Sequence, residues 1–209
     1  MVNFLYLFPI ITCWHSVASQ LTKYTSADMA NNSISFIHCM LYLIHYHYEY
    51  NLDHMLHVTI GYYMYDLLYQ VTTIRRYTSS LSMSENALHS SLIVHHLMGI
   101  FIIMETFTSD YKFIFLSGYN IMELSNVMLY ISNYLHNEYN KTNIIIATDF
   151  VYFLWYAYFR VIRLSGLIYE NKDPFFEISV MSRLFIIMLY LMGFAWSCNL
   201  FVKTFRSIA

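Results

Sequence analysis

Two adjacent histidines, His95 and His96, stand in the middle of a continuous apolar stretch, LIVHHLMGIFIIMETF. Imidazole ordinarily titrates close to neutral pH, so such a pair can act as a general base or as a nucleophile that takes an acyl group. Adjacent helical residues diverge by about 100° around the axis, so the two rings cannot serve one seam equally. One ring can face a central cavity while the other binds a neighbouring helix or orients a partner group. Gly99, four residues after His95, removes a side chain from the same face and admits a close approach. The competing reading is a pair of interhelical hydrogen bonds with no chemistry.

Other polar residues interrupt apolar stretches in the same way. Asp66 ends the run GYYMYD and shares a helical face with Tyr62, which could donate to it or line the same cavity wall. Glu123 sits in MELSN with Ser125 and Asn126. A carboxylate there can fix an imidazole tautomer and stabilise imidazolium, provided its helix packs beside the histidines. His15 and Ser16 interrupt the first apolar stretch. Arg160 and Arg163, three apart, share a helical face and either snorkel to the headgroup level or anchor a lipid phosphate or carboxylate. Glu105 and Asp149 fall near the ends of their stretches and read as structural.

The elements that must position these groups follow from composition. Of the 209 residues, 58% are hydrophobic and only 11% are Asp, Glu, Lys or Arg. A soluble domain of this size leaves roughly 30% of its surface in water and cannot hide so much apolar area. Disordered chains, nucleic-acid modules and conventional soluble enzymes are thereby excluded. The formal charge of -2, with no basic tract, gives nothing to hold a phosphate backbone. Three cysteines without CxxC spacing read as small buried hydrophobes. Ten histidines invite a metal reading, but no HExxH and no HxxHH occurs, and no metal site is expected.

A helix needs about 20 mostly apolar residues to cross the hydrocarbon. Six stretches qualify, near 2–21, 54–74, 88–108, 112–135, 144–168 and 179–202. The first lacks a basic n-region and a small-residue cleavage site, and reads as a retained span rather than a signal peptide. A seventh piece, Ile34 to Tyr46, is too short and reads as an interfacial or re-entrant helix. The runs are too long and continuous for barrel strands. The expected fold is therefore all-α: one domain, 1–209, forming a polytopic membrane bundle of about six transmembrane helices plus a short interfacial helix. Short connections, such as the Ser-rich 77–87 and NEYNKTN, make sequential helices antiparallel neighbours. The basic residues divide about equally between the two loop sets and give no orientation. Asn31-Asn32-Ser33 and Asn140-Lys141-Thr142 match glycosylation sequons in opposite loop sets, so at most one could be luminal.

In this order along the chain, four pieces carry a resemblance to the TLC-domain proteins, the group of the ceramide synthases, the TRAM proteins and CLN8. They are His15-Ser16; Gly61-Tyr62 followed by Asp66; His95-His96; and Met122-Glu123-Leu124-Ser125-Asn126. The last piece is closer to the Glu-x-Ser form of the small TLC proteins than to the His-Asp-x-Ser-Asp step of the ceramide synthases. The resemblance implies a bundle around a membrane-facing cavity in an endoplasmic-reticulum membrane. It also implies acyl transfer from acyl-CoA to a membrane lipid or long-chain amine. One of His95 and His96 would be the acyl acceptor or base, Asp66 and Glu123 would support it, and His15, Tyr62, Ser125 and Asn126 would line the cavity. Arg160 and Arg163 are the candidate headgroup contacts. No tightly bound cofactor is expected; acyl-CoA is the co-substrate, membrane lipid the other partner, and a homodimer the candidate assembly. The sequence departs from the synthases at Gly99, Met122 and Asn126. A non-catalytic lipid-binding, lipid-transport or cargo-receptor protein on the same bundle therefore stands as the alternative.

Overall fold

Ser26 opens a helix that the hydropathy of the chain hides. Its hydroxyl accepts from the Met29 backbone N–H at 3.2 Å, and Asp28 sits in the first turn, where a negative charge meets the helix dipole favourably. The helix then runs the whole way from Ala27 to His47. It is not the short interfacial piece expected over Ile34–Tyr46. Its polar first third, ADMANNS, kept it below any apolar threshold, yet Met29, Ala30, Ile34, Ser35, His38, Cys39, Tyr42 and Leu43 fall on one stripe that is buried in the bundle.

The computed structural model describes residues 4–48, 51–77, 83–138 and 143–208. Every regular element among them is helical: α1 (Phe4–Leu21), α2 (Ala27–His47), α3 (Leu52–Tyr77), α4 (Met83–Thr106), α5 (Lys112–Glu138), α6 (Asn143–Ala157), a π-helical segment (Tyr158–Arg163), α7 (Leu164–Glu170), α8 (Lys172–Glu177) and α9 (Val180–Ile208). The all-α expectation holds. The Asn140-Lys141-Thr142 sequon and residues 78–82 of the Ser-rich turn lie outside the described residues.

α2 packs along α5, α3 lies between α1 and α4, and α6 lies between α5 and α9. α1 and α3 come close at Gly61, where an added Cβ would lie 2.5 Å from Ile10 Cγ2. Among the described residues, two helices are long and apolar enough to cross a membrane, the continuous rod Asn143–Glu170 and Val180–Arg206.

The surface is apolar where a soluble protein would be polar. Leu184, Leu191, Phe194 and Phe201 of α9, Leu154 and Ile162 of the α6 rod, and Leu5 and Phe8 of α1 are all exposed. The interior instead holds Asp66, His95, His96, Glu123, Asp149 and Arg160. On the two long apolar helices, Leu154, Ile162, Leu184, Leu191, Phe194 and Phe201 face outward, as side chains in contact with lipid or another protein do. Hydroxyls within these helices return to their own backbone: Thr12 donates to Phe8 O, Ser16 to Thr12 O, Thr148 to Ile144 O and Ser197 to Gly193 O, each at 2.8 Å. Such i−4 bonds let a polar residue ride in an apolar helix without water.

Asp149 is not the wet span-end residue that its sequence position implies. It is buried, accepting from Ser132 Oγ at 2.9 Å and from His136 Nε2 at 2.9 Å, with Lys203 Nζ at 3.8 Å. It ties α5, α6 and α9 together. Replacing Asp149 with Asn keeps the shape and removes the charge that these donors address. The expected result is a loss of about 1 kcal/mol, read as a lower melting temperature in detergent.

A polar cavity between the helices as candidate site

His95 and His96 emerge on the same cavity despite their angular divergence. His96 leans toward α3: its ring stacks on Tyr63 with centroids 4.9 Å apart, and its Nδ1 lies 3.1 Å from Asp66 Oδ2. That contact is out of line for a hydrogen bond in this structure. His95 leans toward α9, with its ring 5.7 Å from that of Trp196. Neither ring nitrogen of His95 has a hydrogen-bond partner among the described residues. The divergence thus assigns the two imidazoles to two walls of one hollow, their centroids 5.5 Å apart.

Gly99 admits the stacking partner of His96. A Cβ built there would lie 2.5 Å from Tyr63 Cε2, so only a hydrogen leaves room for the tyrosine ring that flattens against the imidazole. Asp66 is held from its other side by Asn31, whose Nδ2 donates to Oδ1 at 2.9 Å. Tyr62 lines the cavity but donates to Ser35 Oγ at 2.8 Å rather than to Asp66.

The cavity holds about 270 Å³. Asp66, His95, His96, Asn126, Tyr130 and Arg160 are among its lining residues. α2 gives it Asn31, Asn32 and Ser35, while Asp28 and Tyr69, joined by a 2.8 Å hydrogen bond, stand where the wall is more exposed.

Arg160 and Arg163 do not share a face. Arg160 is 1% exposed and turned inward, whereas Arg163 is exposed on the outside. The cause is the π-helical turn over Tyr158–Arg163, whose wider winding breaks the i, i+3 alignment of an α-helix. Arg160 Nε donates to Ser125 Oγ at 2.7 Å and its Nη2 to Asn126 Oδ1 at 3.2 Å, while its guanidinium lies over the Tyr156 ring. Gly193 of α9 makes room for its stem, since a Cβ there would meet Arg160 Cβ at 3.3 Å.

Three expected site residues take other places. His15 is exposed on the outer face of α1; the helical rotation turns Trp14 inward instead. Glu123 is buried one turn before Asn126 on α5 and does not line the cavity; its Oε2 has no hydrogen-bond partner among the described residues, and its backbone carbonyl accepts from Cys39 Sγ. Ser125 is enclosed behind the wall and serves by holding Arg160 rather than by touching the cavity. Asn126, Tyr62, Asp66, His95, His96 and Arg160 do converge.

Sequence reasoning missed the contribution of α2. Asn31 of the first apparent sequon is half-buried and bound to Asp66, and Asn32 donates to the Tyr130 carbonyl at 3.2 Å, so neither stands in an open loop as a glycosylation acceptor would. His38 is fully buried, stacked on Tyr62 at 4.0 Å and 3.2 Å from Thr59 Oγ1. The signal was present in the spacing: Asn31, Ser35, His38 and Tyr42 recur at four, three and four residues, a polar stripe on one helical face. No family model matches the chain, and neither a curated protein nor a solved structure does.

Proposed function

We propose that this chain is a multi-pass membrane protein of the TLC-domain kind, residing in the endoplasmic reticulum. In this reading α1, α3, α4, α5, the α6 rod and α9 cross the bilayer, and α2, of similar length, completes the bundle. Its cavity transfers an acyl group from acyl-CoA to a membrane lipid or long-chain amine. The observation that carries this reading is the His96–Asp66 contact on the same hollow as His95 and Arg160.

The chemistry follows from that placement. With Nδ1 of His96 closed in beside Asp66, Nε2 is left to address the cavity. As an amine nitrogen attacks the thioester carbonyl, the imidazole takes its proton. The C–N bond forms, the C–S bond breaks, and the same proton passes to the leaving thiolate. Asp66 stabilises the transient imidazolium, and the Arg160 guanidinium offers N–H groups to negative charge developing on oxygen. His95 serves as a second base or as the covalent acyl carrier. Arg163, on the outer surface, is placed for lipid headgroups.

The test is intact-mass measurement of the purified protein incubated with acyl-CoA, alongside lipid profiles of membranes containing it. The expected result is an acyl adduct or a new acylated lipid, with His96→Ala lowering product by about 10²–10⁴-fold. Absence of both adduct and product in the wild type would contradict the transferase reading. The withdrawal of Glu123 from the cavity favours a second reading, lipid carriage without chemistry. There, replacing both His95 and His96 with Ala would leave function intact.

A further inference from the structure

Arg160 poses a problem that the transfer chemistry does not resolve. It is the largest fully buried side chain among the described residues, yet it forms no ion pair among them. Its hydrogen-bond partners are a hydroxyl and a carboxamide, both neutral. Two of its five N–H groups are thereby used, and the guanidinium lines the cavity. Glu123 lies within Coulombic reach but does not pair with it. A buried guanidinium with no carboxylate in direct contact among the described residues is costly, and an anionic ligand would supply the missing contact. The π-helical turn that aims Arg160 inward adds to the case, since such turns recur at functional sites.

The hollow beside Arg160 also continues. A second cavity of about 380 Å³ shares Leu92, Asn126, Leu129, Asn133 and Trp196 with the first, and is further lined by Tyr156 and Leu200. Arg160 lines the first lobe only; Leu92, Leu129 and Trp196 run along both and, with Leu200, offer apolar wall to a chain, while Ser132, Asn199 and Lys203 also line the second lobe. The second volume falls within the usual range of a ligand pocket and the first just below it.

We propose that the two lobes form one site for a single-chain anionic amphiphile, its carboxylate or phosphate seated on Arg160 and its tail in the lobe beside Leu129 and Leu200. The planar fork of a guanidinium matches either oxyanion through paired N–H donors. The inference rests on the reading of this cavity as a lipid site and names the class of lipid it holds.

The experiment measures binding to the full chain in detergent, without acyl-CoA, for three probes of one chain length: oleate, an oleoyl lysophosphatidate and oleyl alcohol. The wild type is expected to hold at least one anion ten-fold or more tighter than the alcohol. Preference for oleate assigns a carboxylate, and preference for the lysophosphatidate assigns a phosphate. Arg160→Gln should bring the anions down to the level of the alcohol. Leu129→Trp, which narrows the second lobe and leaves Arg160 in place, should weaken anion binding at least ten-fold, and it remains informative if Arg160→Gln fails to fold. Equal binding of alcohol and anions, no binding at all, or undiminished anion binding in either variant would overturn the proposal. Arg160-dependent binding without any acyl transfer would overturn the transferase reading alone; acyl transfer without anion binding would overturn this inference alone.

Discussion

Asp66→Asn is expected to lower acyl transfer by about 10²–10⁴-fold while the helical content and the melting temperature stay close to wild type. The substitution is nearly isosteric, and Asn31 Nδ2 can still donate to the retained carbonyl oxygen at the position of Oδ1. What changes is the group facing His96. Oδ2, 3.1 Å from Nδ1, becomes an amide N–H₂. With the carboxylate gone, no negative charge favours the ring proton on Nδ1 over Nε2, the nitrogen that accepts a proton in the proposed reaction. The substitution also withdraws the negative charge that would stabilise the imidazolium. Steady-state kinetics separate these effects from folding: kcat should fall far more than KM rises, because the change is felt in the transition state. An equal fall in both thermal stability and activity would instead place Asp66 in a purely structural role.

Gly99→Val is expected to be the most destabilising single substitution at the site, by about 3 kcal/mol, since overpacking a close contact forces side chains and backbone apart. Even the first carbon of the new side chain would lie 2.5 Å from Tyr63 Cε2 and 3.1 Å from its Cδ2. Tyr63 is itself buried between α3 and α4, so its ring has little room to retreat. Displacing it also removes the face against which His96 stacks. Thermal denaturation in detergent should show a fall of several degrees for Gly99→Val and a smaller one for Gly99→Ala. Tyr63→Leu in the Gly99→Ala background should recover part of the loss, because the two substitutions act on one contact and cannot be additive. Additive losses would mean that the glycine answers to something other than Tyr63.

These two effects also mark what could and could not be read from the sequence. The all-helical class followed from long apolar runs, and the inward placement of Asp66, His95, His96 and Asn126 from their polarity in apolar surroundings. α2 escaped because hydropathy averages over all faces of a helix, whereas burial acts on one stripe. Ser35 and His38 are buried on that stripe, with Asn31 half-buried beside them, beneath a mean that reads as interfacial. Arg160 and Arg163 were placed on one face by α-helical geometry, and the π-helical turn separates them, a feature with no signature in residue type. His15 failed for a simpler reason: one residue of rotation decides between Trp14 inside and His15 outside, and in a helix apolar on all sides, composition does not fix that angle. Glu123 was on the correct helix, one turn too far from the cavity.

The central claim is that His95 and His96, with Asp66 behind them, form an accessible reaction centre inside the bundle. It is tested most directly by reconstituting the purified chain in lipid vesicles and following the transfer of labelled acyl groups from acyl-CoA to vesicle lipids and to an added long-chain amine. Acylated product is expected with the wild type, and product at background with the His95→Ala/His96→Ala double variant of unchanged helical content. Product formation unaffected by the double substitution, or none with the folded wild type, would contradict it.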